Sequence, residues 1–124
     1  MRGKLNTSMI VETAAKIADE NGLDAVTLTH VATKLNIKKQ SLYNHIDNLF
    51  HLKCELVILA NSHLKQYLMH AAVGKSRDEA VLEVAKAYRQ FAHTFPGQYQ
   101  AIISLAWECK DNENFRAATR ELMD

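Results

Sequence analysis

Helix breakers are scarce in this chain. Among 124 residues there is one proline, Pro96, and only four glycines, too little punctuation for an architecture of β-turns or long loops. Strict alternation of apolar and polar residues is absent, which argues against half-buried strands. No apolar run approaches 18 residues, so no segment is expected to cross a membrane as a helix. The opening MRGKLN is basic but leads into no apolar stretch of the signal-peptide kind. The two cysteines, Cys54 and Cys109, form no C-x-x-C pair and lie in apolar helical contexts. That usage predicts two reduced thiols in a cytoplasmic protein. Catalytic signatures are missing too: there is no G-x-S-x-G, no phosphate-binding glycine loop and no pair of carboxylates in a loop, so an enzyme is not expected. A small helical enzyme would need an unrecognised site around His63, Tyr67 and His70. His51 and Cys54 share helical ligand spacing, but no third or fourth ligand stands near them. Neither a metal nor a cofactor is expected.

What is present is helical periodicity. Every long segment fits a 3.6-residue repeat, which predicts an all-α chain. A first helix is expected from Thr7 to Asn21, capped by Asn6 and closed by Gly22, with Ile10, Ala14, Ile17 and Ala18 inward. A long helix follows from about Leu49 to His70. Ser76-Arg77-Asp78-Glu79 is an S-x-x-E capping box that opens another, carrying Ala80, Val81, Val84, Ala85, Tyr88 and Ala92 on one face. Phe95-Pro96-Gly97 ends it, and a further helix runs from Pro96 to about Cys109. A last one is expected from Glu113 to Asp124, with Phe115, Ala118, Leu122 and Met123 as its stripe.

The most telling stretch is Thr27 to Leu52. A short helix from about Thr29 to Leu35 places Leu28, Val31, Ala32 and Leu35 on one stripe. Asn36 stands at the reversal, where a left-handed conformation is needed and asparagine tolerates it. Ile37 returns to the core. Lys38, Lys39, Gln40 and Ser41 open a second short helix, with Leu42 and Ile46 inward and Asp47 and Asn48 ending it. This is the pattern of a helix-turn-helix, whose second helix presents its leading side chains to base edges in a DNA major groove. The net charge of +1 is uninformative, but residues 1–53 carry seven Lys/Arg against five Asp/Glu, and residues 54–124 eight against nine. The cluster Lys34, Lys38 and Lys39 is the sharper clue.

Ile10, Ala14, Ala15, Gly22, Thr27, Val31-Ala32, Leu35, Ile37, Ser41-Leu42-Tyr43-Asn44-His45-Ile46 and Leu52 together resemble the TetR family of bacterial transcription regulators. The likeness covers about residues 5–55. More loosely, YRQFAHTFPGQYQAIISLAW is similar to the following helices in one branch of that family. The resemblance implies a three-helix DNA-binding domain over residues 1–48. A connecting helix and a helical regulatory domain follow over residues 49–124, expected to be incomplete. It also implies a homodimeric repressor that holds a palindromic operator and releases it when a small-molecule effector enters the regulatory domain. There are two departures. Asn36 replaces a turn glycine, and Leu49 replaces a lysine that touches a phosphate, so Lys53 or Lys38 would have to substitute.

Candidate DNA-contacting residues are therefore Thr29, Lys38, Lys39, Gln40, Ser41, Tyr43, Asn44 and His45. Glutamine can pair with adenine, and lysine can reach guanine or a phosphate. Thr29 either caps its helix or meets a phosphate. Tyr43 is either a core aromatic or, by the resemblance, lies against the DNA backbone. His45 resembles a phosphate-contacting histidine and could equally cap a helix end. Tyr67, Tyr88, Phe91, Tyr99 and Trp107, with Phe95, either line an effector cavity or pack a core. The alternative to a DNA-binding regulator is a helical ligand-binding or protein-interaction module that has lost DNA binding.

Overall fold

A computed structural model of the chain describes residues 4–114, 116–117 and 120. It is all-helical, and the described residues include no strand. The order is α1 (Thr7–Asn21), a 3₁₀ turn (Leu23–Ala25), α2 (Leu28–Leu35), α3 (Lys39–Leu42), α4 (Leu49–Ala72), α5 (Arg77–Thr94) and α6 (Pro96–Leu105). The stripe expected for a last helix, Phe115, Ala118, Leu122 and Met123, lies outside the described residues.

Local chemistry sets the helix ends. Asn6 accepts the Met9 N–H through its side chain at 2.9 Å, and Gly22 closes α1 at φ 97°. Thr27, rather than Thr29, caps α2 by accepting the His30 N–H at 3.1 Å. The capping role considered for Thr29 is thereby corrected; it lies one residue inside the helix. Asn36 is left-handed, at φ 56° and ψ 46°. Its N–H donates to the Thr33 carbonyl and the next, from Ile37, to the Ala32 carbonyl, the paired bonds that finish a helix and fold the following apolar residue back. At the start of α4 the Asn48 side chain accepts the His51 N–H, and His51 Nδ1 accepts the Asp47 N–H.

One apolar core runs through α1, α2, α3, the first half of α4 and the far side of α6. Ile10, Ile17, Val26, Val31, Leu42, Ile46, Leu52, Leu56 and Val57 are sealed in it, with Ala101 and Cys109 at its other end. Cys54 and Cys109 are joined by a disulfide with their Cα atoms 5.6 Å apart, which corrects the expectation of two reduced thiols. Helical context hid the pairing, because the partners stand 55 residues apart and meet only through the packing of α4 against α6. It also removes Cys54 from any metal site with His51.

The α5 face expected to be apolar and inward is only partly covered. Phe91 is the buried residue of that helix, whereas Val81 is 69% exposed and Ala85 and Tyr88 are also open.

Candidate nucleic-acid interface

Leu42 and Ile46, both fully buried, fix how α3 and the turn after it sit on the core. With those two inward, the intervening and preceding side chains must face out. Lys38, Lys39, Gln40 and Asn44 are exposed, Tyr43 is 47% exposed, and Ser41 and His45 are half-buried. These seven fall within residues 38–45, interrupted by the buried Leu42, so they lie together on α3, its N-cap and the turn that follows. Thr29 stands apart, exposed at the opening of α2. Its backbone N–H belongs to the first turn, before internal helix bonds begin. Lys34, Lys38 and Lys39 are all exposed, and none forms an ion pair among the described residues. An unpaired cluster of this kind leaves its full charge available to a polyanion.

Regular helix in α3 ends at Leu42, and Tyr43 to His45 form a tight turn held by N–H donations from Asn44 to Ser41 and from His45 to Leu42. The outward surface is thus a single turn followed by a compact corner. Leu49 packs against the core. Lys53 borders a groove with Asp24 and Glu108, on the α1–α6 side. Of the two cations considered as substitutes for the missing lysine, only Lys38 stands on the α3 surface. Sequence reasoning passed over Phe50, 49% exposed one residue into α4. An aromatic two residues after the capping Asn48 was the available signal.

The aromatic candidates do not converge. Tyr67 and Phe91 meet edge to face, with ring centroids 5.6 Å apart, in a cluster that includes His63 and Phe95. Tyr88 pairs separately with Tyr99 at 5.9 Å. Partial burial raises the Tyr88 hydroxyl above the ordinary phenol range, and the neighbouring Tyr99 hydroxyl adds to this. Trp107 is 76% exposed under the Lys110 ammonium, which lies 4.5 Å from its ring. A cleft between α1 and α4 is bordered by Leu35, Leu59, His63, Phe95 and Gln98.

Gln98, at 4% exposure, is the buried polar residue among the described residues, and sequence reasoning missed it. Asp19 of α1 accepts its backbone N–H on Oδ1 and its amide N–H on Oδ2, each at 2.9 Å. His63 of α4 lies 3.0 Å from its Oε1. Because the Gln98 nitrogen donates to Asp19, its oxygen faces His63, and the ring donates from Nδ1. No local pattern announces this triad, whose members are spread over 79 residues.

Two curated proteins are similar to this chain. An uncharacterized HTH-type transcriptional regulator of Mycobacterium tuberculosis (strain H37Rv) is 39% identical over 117 residues, covering 94% of this chain and 53% of its own length. An uncharacterized HTH-type transcriptional regulator of Bacillus subtilis (strain 168) is 36% identical over 99 residues, covering 80% of this chain and 52% of its own length. No family model matches. The chain spans about half the length of the curated relatives it matches.

Proposed function

We infer that this chain binds double-stranded DNA sequence-specifically and regulates transcription in the manner of a TetR-like repressor. The observation that carries this is the α3 surface: Lys38, Lys39, Gln40 and Tyr43 open to solvent around a fully buried Leu42 and Ile46. Two relatives named as HTH-type transcriptional regulators support it. In this reading residues 1–48 form the DNA-binding unit and residues 49–124 belong to a regulatory unit that answers a small-molecule effector. Lys39 and Gln40 read bases. Thr29, Lys38, Ser41, Tyr43, Asn44 and His45 position the unit on phosphates. Two copies form a homodimer on a palindromic operator, with recognition helices roughly 34–36 Å apart in successive major grooves. The work is done in the cytoplasm, where the DNA is.

The test is a gel shift with the upstream region of the chain's own gene, against unrelated DNA of equal length. Selective retardation that weakens as salt rises is the expected outcome. Absence of any complex at low salt would instead identify a helical module that does not bind DNA.

A further inference from the structure

A cleft of about 530 Å³ opens between α1 and α4, with Leu35 of α2 and the start of α6 also lining it. That volume falls within the range of small-molecule sites. Met9, Leu35, Leu59 and Phe95 border it and are each only half-buried, so an apolar surface is left uncovered there. Polar side chains line it too, and one of them, His63, is preoriented. His63 donates from Nδ1 to the buried Gln98, whose amide is itself locked by Asp19. In the tautomer that carries its proton on Nδ1, Nε2 is the acceptor. Nε2 has no hydrogen-bond partner among the described residues and is not sealed from solvent. The charged groups on the rim are Glu12 and Asp19 against Lys16, a balance that disfavours an anion.

We propose that this cleft binds a small, uncharged, mainly apolar molecule carrying one O–H or N–H group, which donates to His63 Nε2 while the apolar body covers Leu35 and Leu59. Of the nominated aromatics Phe95 borders it, whereas Tyr67, Tyr88, Phe91, Tyr99 and Trp107 do not, so the site shares one wall with the one the sequence suggested and otherwise differs from it. Its occupant would touch α1 and α2 on one side and His63, which holds Gln98 and α6, on the other. A ligand there would therefore bear directly on how the helix-turn-helix is carried. That consequence rests on the DNA-binding reading; occupancy of the cleft does not.

The test titrates the full chain with phenol, following side-chain methyl and imidazole resonances by NMR, with toluene and benzoate as controls. Saturable shifts at Leu35, Leu59 and His63 Nε2 are expected for phenol. Toluene should bind about five-fold more weakly, the equivalent of one net hydrogen bond of about 1 kcal/mol, and benzoate more weakly than phenol as well. Ser62→Trp, at an exposed residue on the rim, should fill the cleft and weaken phenol at least ten-fold without changing the helical circular dichroism. The proposal is overturned if phenol gives no saturable shift, if the shifts map elsewhere, if toluene or benzoate binds as tightly, or if the Ser62→Trp protein binds phenol unchanged. None of these readouts involves DNA, so a failed gel shift and a failed titration remain distinguishable.

Discussion

Single residues settle two matters here, one of backbone and one of recognition. Asn36 holds a left-handed conformation at the reversal between α2 and α3. A β-branched residue has no short polar side chain to ease that geometry, which costs roughly 1–2 kcal/mol for residues with a Cβ. Asn36→Val should therefore lower unfolding free energy by about that amount in a urea titration, while Asn36→Gly should stay near the parent. Equal stability of all three would show that the turn relaxes freely. On the α3 surface, the side chains of Lys39 and Gln40 are exposed and form no hydrogen bond or ion pair among the described residues, so their removal should leave folding untouched. In the proposed role, Lys39→Ala or Gln40→Ala costs about 1–3 kcal/mol of specific binding each, measured by fluorescence anisotropy against a mismatched site. Lys38→Ala should weaken specific and unrelated DNA alike and reduce the salt slope by about 0.9. Unchanged operator affinity in the Lys39 and Gln40 variants would remove base reading from α3.

At the scale of the helix, the junction between α1 and α6 is the informative one. Phe95 offers α6 no side-chain cap, and the third residue of the helix, Gln98, finds its acceptor on another helix, in Asp19. Gly97 lies so close to α1 that a Cβ there would overlap the Ala18 carbonyl group. Both features demand the same docking, so Gly97→Ala must push α6 away and loosen the cap at once. Overpacking of this kind costs typically about 1–3 kcal/mol, and Asp19→Ala should cost a comparable amount by leaving the buried Gln98 amide unpaired. Because the two act through one contact, the double variant should lose less than the sum; strict additivity in denaturant melts would argue that they are independent. None of this was legible beforehand. Asn6, Gly22, Asn36 and Ser76 announce helix ends because each acts on backbone within a few residues. Asp19 and Gln98 act across 79 residues and leave no local trace. Periodicity likewise finds the apolar face of α5, but it cannot say whether anything covers that face, and Val81 and Tyr88 are open. The helix-turn-helix surface was readable because its inward pair, Leu42 and Ile46, and its turn residue lie within one short segment.

At the scale of the whole molecule, the Cys54–Cys109 disulfide ties the helix that leaves the helix-turn-helix to the residues just beyond α6. It closes a loop of 55 residues. The chain-entropy relation gives about 4 kcal/mol for a loop of that size, which for a chain this long corresponds to roughly 10–20 °C in melting temperature. Both cysteines are sealed, at 0% and 1% exposure, so a reductant can reach the sulfurs only when the core opens. This bears on the expectation of reduced thiols in a cytoplasmic protein. A reducing pool acts on accessible sulfur, and burial makes reduction wait on opening. Two outcomes follow for protein purified without reductant. Thiol labelling after brief reductant treatment under native conditions should be negligible, and the same treatment in denaturant should expose two thiols. The Cys54→Ser/Cys109→Ser double variant should melt lower by the amount given, with its midpoint unaffected by reductant. Immediate labelling of two thiols in the native, unreduced protein would mean that the cysteines are unpaired, and the link between α4 and α6 would then rest on apolar packing and the Asp19–Gln98–His63 bonds alone.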